Sequence, residues 1–192
     1  MKKIGITGSL ASGKTTASRI LAKKNGPLFS ADDVVKKLYA NNSFKRSIRK
    51  KFGIKNKFNI KKMLKIKILQ QKANINKLEK IIHPIVRKEM RSFTKKNRGK
   101  KFVFFEIPLL IESKLQDKFD IIFFIKAKRK IRLKRFISKG GNKKIFQILN
   151  NKQLTDVKKI KYCDYTIVND KNIKFLKQNL LAIFKDYERN IS

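Results

Sequence analysis

The stretch Gly8-Ser9-Leu10-Ala11-Ser12-Gly13-Lys14-Thr15-Thr16, entered from the apolar alternation Ile4-Gly5-Ile6-Thr7, constrains the chain more than any other. Glycines separated by four residues and followed by Lys-Thr form the phosphate-loop pattern, and it stands between a strand pattern and a helix pattern that carries Ala17, Ile20, Leu21 and Ala22. The glycines let the backbone turn tightly, so that successive N–H groups point inward and the helix N-terminus adds its partial positive charge. The expected guest is a polyphosphate. Lys14 then reaches the terminal phosphates, and the Thr15 hydroxyl ligates a magnesium ion bridging two of them. The alternative is a glycine-rich turn without a ligand.

A chain of 192 residues suits one domain with a small insert or lid. Apolar runs are short, so a soluble, cytoplasmic protein without membrane partners is expected; the sequence leaves the oligomeric state open, with a monomer favoured. One cysteine, Cys163, excludes an internal disulfide and a cysteine metal cluster, which leaves burial as its expected role. Lys and Arg total 51 against 13 Asp and Glu, a net charge of +38. Such a field attracts any polyanion. The lysines are nevertheless spread along nearly the whole chain, beside an excess of Asn, Ile and Phe that reads as a general residue bias. With no segregated basic tail and no recognisable binding module, no specific nucleic-acid partner is expected.

In chain order, a short strand over 27–30 ends at Ala31-Asp32-Asp33. In a parallel sheet, acids just past a strand's carboxyl end face the phosphate crevice. Asp32 or Asp33 can there orient an attacking hydroxyl and accept its proton. Equally open is that Asp32 caps a helix over 34–40. Residues 43–98 read as helix throughout, with Phe44, Ile48 and Phe52 as one apolar stripe, and form an insert beside the sheet. Pro84 is expected to open a new helix at His83-Pro84, with Arg87 one turn on. His83, the one histidine, suits capping or packing as well as chemistry.

Phe102-Val103-Phe104-Phe105 and Ile121-Ile122-Phe123-Phe124-Ile125 read as strands buried on both faces. Glu106, closing the first of these, is positioned to hold magnesium; Glu112 is the weaker candidate, and either could instead pair with a surface lysine. Arg129, Arg132 and Arg135 follow on a helix whose Ile131, Leu133 and Phe136 are expected to face inward. A flexible basic hinge at 139–144 then fits a lid over 138–152, or a solvated loop. A fifth strand over 165–168 and a closing helix complete an α/β fold of the phosphate-loop NTPase type, a five-stranded parallel sheet flanked by helices. Its core spans 1–42 and 99–192.

These blocks together resemble the dephospho-CoA kinases. The opening loop, Ser30-Ala31-Asp32, Ile82-His83-Pro84-Ile85-Val86-Arg87, Ile107-Pro108-Leu109-Leu110-Ile111-Glu112 and Cys163-Asp164-Tyr165-Thr166-Ile167-Val168-Asn169 are similar to that family's blocks and keep their order. The resemblance implies transfer of the γ-phosphoryl group of ATP to the ribose 3′-hydroxyl of dephospho-CoA, with ATP bound at 8–16. It implies Lys14, Asp32, Arg87 and Arg135 as catalytic residues. Asp32, His83, Arg87, Pro108, Leu109 and Glu112 are then on the substrate side, and Thr15 and Glu106 at the metal. The departures are Ser30 and Glu106 where the family has Asp, Lys139-Gly140 where it has Arg-Asp, and Lys152 at the place of a lid-helix Gln. Arg135 aligns better than Arg132 with the lid arginine. Another phosphate-loop kinase, or a basic nucleotide-dependent nucleic-acid-binding protein, are the alternatives on the residues alone.

Overall fold

A computed structural model describes residues 1–55, 58–71 and 73–190; residues 56, 57, 72, 191 and 192, which the expected domain includes, lie outside the described residues. Two compact units divide the chain, Met1–Ser30 with Thr94–Ser192, and Ala31–Phe93.

The first unit is built on a parallel sheet of β1 (Lys2–Gly8), β2 (Leu28–Ser30), β3 (Phe102–Glu106), β4 (Ile121–Lys126) and β5 (Tyr165–Val168), in the order β2-β3-β1-β4-β5. Alternate residues serve alternate faces. On one face Ile4, Ile6, Phe102, Phe104, Phe123 and Ile125 meet Ala17 and Leu21 of α1 (Lys14–Asn25) and Leu176, Leu180 and Phe184 of α9 (Ile173–Asn190). On the other, Phe105 packs with Phe29 and Phe119, at centroid distances of 5.9 and 5.4 Å. The apolar runs of β3 and β4 are continuous because both faces are covered. From β1 the chain passes to β2 and β3 on one side and then crosses over to β4 and β5 on the other, so the strand order reverses at β1, and ligands of open α/β sheets bind at the carboxyl end of such a switch point. Register sets Ile6 beside Glu106 and Gly8 beside Ile125.

Three further helices close this unit: α6 (Arg129–Ser138), α7 (Lys143–Lys152) and the short α8 (Asp156–Ile160). The one buried residue of α6 is Arg132, while Ile131, Leu133 and Phe136 are half-buried. The inward face expected of the apolar residues is thus centred on an arginine, because polar backbone of the phosphate loop lies there to receive it. The expected basic hinge is partly structured: the Asn142 side chain accepts from Ile145 N–H and starts α7, and Gly140 takes φ 80°.

The second unit carries α2 (Ala31–Leu38), α3 (Asn42–Phe52), α4 (Ile60–Gln70) and most of α5 (Ala73–Lys96). Phe44, Ile48 and Phe52 are buried as the stripe predicts, with Ile54, Ile60, Leu64 and Ile82. Asn41 and Asn59 cap α3 and α4 through their side-chain oxygens. Two expectations are corrected. Helix α2 begins at Ala31, so Asp32 sits in its first turn and is not an N-cap to a helix at 34–40. Helix α5 runs through Pro84 instead of starting there, so His83 and Arg87 lie mid-helix. The turns on either side carry Ile82, buried, and Leu78, Ile81, Ile85 and Val86 packed on the same core, which outweighs the one N–H that proline removes.

Candidate active site

The phosphate loop joins β1 to α1 and is held from outside by side chains more than a hundred positions away. Arg132 donates from Nη1 to Leu10 O at 3.3 Å and to Asn150 Oδ1 at 2.8 Å, and from Nε to Ala127 O at 3.1 Å. Arg135 Nη1 reaches Ser12 O at 3.4 Å, and Asn169 Nδ2 donates to the same oxygen at 2.8 Å. Gln153 Oε1 accepts from Leu10 N–H at 2.9 Å, and the Ser9 hydroxyl donates to Asp156. The carbonyls of Leu10 and Ser12 are thus fixed by side chains from outside the loop. Gly13 takes φ 100°, and a Cβ there would stand 2.2 Å from Asn169 Nδ2, so only glycine fits beneath that amide.

Inside the loop, Lys14 Nζ donates to Ser9 O at 2.8 Å and Gly8 O at 3.2 Å. The Thr15 hydroxyl donates to Glu106 Oε1 at 2.5 Å, and Ser18 Oγ to Glu106 Oε2 at 3.3 Å. Glu106 is 1% exposed. The hydroxyl of Ser12 is buried with no protein partner among the described residues. Burial pulls the Arg132 guanidinium below its usual range; Asp156 opposes this and Arg129 adds to it, and a guanidinium so placed remains a cation.

Glu106 follows from a buried strand that ends in register with β1. Thr7 Oγ1 donates to Pro108 O at 3.3 Å, which fixes the start of the segment after β3. Within that segment Leu110 is fully buried, Pro108 and Leu109 are half-buried, and Glu112 Oε1 accepts from Leu154 N–H at 3.1 Å. Asp32 lies two residues along the chain from Ser30, the partner of Glu106 in the β2–β3 register, and is exposed. His83 is half-buried and Arg87 exposed on α5.

Sequence reasoning missed Gln153, Asp156 and Asn169 as partners of the loop, and Asn150 as a partner of Arg132. Lys152, read as standing at the place of a lid-helix Gln, ends α7, and Gln153, one residue further on, carries the amide that meets Leu10. For Gln153 the available signal was its place at a helix end; for Asn169, its place just past β5.

A parallel sheet with a phosphate loop at its switch point, a lysine and threonine at the head of α1 and an acid on the neighbouring strand define a phosphate-loop kinase. The family model for dephospho-CoA kinase matches residues 2–174. Relatives of that name are 33% identical over 195 residues in Bartonella henselae, covering 99% of this chain and 100% of that one. In Zymomonas mobilis the identity is 35% over 174 residues, with 88% of each chain covered. Among solved structures, the dephospho-CoA kinase from Campylobacter jejuni shares the fold with a TM-score of 0.63 at 22% identity, over 96% of each chain. The chain belongs to the dephospho-CoA kinase family.

Proposed function

We propose that this chain transfers the γ-phosphoryl group of ATP to the ribose 3′-hydroxyl of dephospho-CoA, giving coenzyme A and ADP. Family membership supports the substrate, and the observation that carries the chemistry is the Thr15–Glu106 contact at the head of the phosphate loop. A hydroxyl and a carboxylate are hard oxygen donors. The described residues hold no group of three or more His, Cys, Asp or Glu suited to a metal, so an ion there would complete its shell with phosphate oxygens and water, as Mg²⁺ does. When bound, that ion neutralises charge on the β- and γ-phosphates.

In this reading the 3′-oxygen attacks the γ-phosphorus, the bond to the β,γ-bridging oxygen breaks, and the proton passes to the Asp32 carboxylate. Lys14 exchanges its bonds to Gly8 O and Ser9 O for phosphate oxygens and follows charge onto the leaving group. Ala11, Gly13, Lys14 and Thr15 offer backbone N–H groups, and the Ser12 hydroxyl, without a partner among the described residues, suits the same anionic guest. Arg135 supplies the lid cation. Arg87 orients the acceptor, and His83, Pro108 and Leu109 take part in binding it.

The test is ADP formation by purified protein with ATP and magnesium, offering dephospho-CoA, adenosine, AMP, CMP or no acceptor. Turnover with dephospho-CoA alone, and a product heavier by one phosphoryl group, is the expected result. Turnover with another acceptor would discard the substrate and keep the loop chemistry. Phosphate release that depends on RNA or DNA would replace the reading altogether.

A further inference from the structure

We infer that Glu112 and Lys159 form a buried strut that shapes the phosphate loop from behind, which makes both of them positioning residues for nucleotide binding. Lys159 is fully buried, and its Nζ stands 2.6 Å from Glu112 Oε1. The same Oε1 accepts the Leu154 N–H. Leu154 lies between Gln153 and Asp156, the two side chains that hold Leu10 N–H and the Ser9 hydroxyl. One carboxylate oxygen therefore anchors both the middle of this four-residue turn and, through Lys159, the helix that follows it. Thr155 ties the two together, its carbonyl accepting from Lys159 N–H at 3.1 Å and its hydroxyl from Lys158 N–H at 3.4 Å.

The chemistry of the pair favours positioning over simple stabilisation. Two apolar residues of like volume generally serve stability as well as a buried ion pair does. They could not, however, accept the Leu154 N–H. Glu112 Oε2 and Lys159 Nζ are buried without a hydrogen-bond partner among the described residues, so charge holds the pair together and the carboxylate's hydrogen bond goes to the turn. A loop whose Ser9 and Leu10 are already held loses less conformational freedom when a polyphosphate arrives.

The inference rests on the kinase reading for its biological purpose, but its readout is nucleotide affinity. ADP binding is measured by calorimetry for wild type, Lys159→Met, Glu112→Gln, Gln153→Ala and the Lys159→Met/Gln153→Ala pair. Native circular dichroism, and KM for ATP and for dephospho-CoA, are recorded alongside. Lys159→Met is expected to weaken ADP and raise KM for ATP roughly tenfold, about the effect of one lost hydrogen bond in a positioned network, with KM for dephospho-CoA within about twofold. Adding Gln153→Ala to Lys159→Met should weaken ADP much less than it does in wild type, since both act through one turn. A folded Lys159→Met that binds ADP like wild type overturns the strut, as do strictly additive effects. A rise in KM for dephospho-CoA alone would overturn it by returning Glu112 to the substrate side. If Lys159→Met does not fold, Glu112→Gln with and without Gln153→Ala decides by the same criteria. A wild type that binds ADP but never phosphorylates dephospho-CoA removes the substrate and leaves this test intact.

Discussion

The Thr15 hydroxyl at the head of α1 and the Glu106 carboxylate at the end of β3 meet at 2.5 Å, with Ser18 on the other carboxylate oxygen. Glu106→Gln keeps the volume and an acceptor for Thr15 while removing the charge an ion needs. We expect the magnesium concentration for half-maximal turnover to rise about tenfold or more, with melting temperature little changed. A magnesium titration at fixed ATP checks this, and an unaltered titration would remove Glu106 from the metal.

Lys14→Ala should lower kcat by roughly 10²–10³, the range seen when one preorganised charge donor is lost. Asp32→Asn should likewise lose turnover. As Asp32 lies in the first turn of α2, its contribution to that helix through the macrodipole is only about 0.3–1 kcal/mol, so the variant should stay folded. Near-normal kcat in Asp32→Asn would show that the carboxylate is helical decoration.

Gly13→Ala places a methyl group 2.2 Å from Asn169 Nδ2 in a residue at φ 100°. Strain of this kind should cost about a hundredfold in ATP affinity. Gly53 has φ 59° and open space around it, so Gly53→Ala should touch stability alone, by about 1 kcal/mol. Calorimetric titration of both variants with ADP separates the two effects.

Pro84 is an exposed proline inside α5, where it removes one helical N–H. Pro84→Ala should stabilise the chain by about 1–3 kcal/mol in urea denaturation. Because His83 and Arg87 flank the position, KM for dephospho-CoA should rise in the same variant. A variant with unchanged KM would leave the proline without a part in substrate binding.

Burial, and after it Asp164, pushes the Cys163 thiol up from 9.0 to about 12; Lys159 pulls the other way, and Glu112 adds the smallest push. The folded protein therefore holds this proton after the unfolded chain has lost it. The thiol's contribution to stability is fully present below pH 9 and is lost as pH rises toward about 12. Cys163→Ala should flatten that part of the alkaline unfolding profile. Ellman's reagent at pH 8 should react far more slowly with folded protein than with protein in urea.

What the sequence by itself determined is local. The spacing of Gly8, Gly13, Lys14 and Thr15, the doubly buried runs at Phe102 and Ile121, and the Phe44-Ile48-Phe52 stripe announce their structures because hydrogen-bond geometry and side-chain period act over a few residues. The same reasoning failed at Pro84, where a packed face carried the helix across a residue that breaks helices in isolation, and at Arg132, where an apolar pattern gave no sign that a cation would be buried. Tertiary structure alone decided the surroundings of the loop. Gln153 and Asp156 lie 143 and 147 positions from the Leu10 and Ser9 they hold, and Asn169 lies 157 from Ser12. Their roles depend on where the turn after α7 and the end of β5 come to rest, and that is set by packing of the whole sheet with its helices, which no periodicity in the chain records.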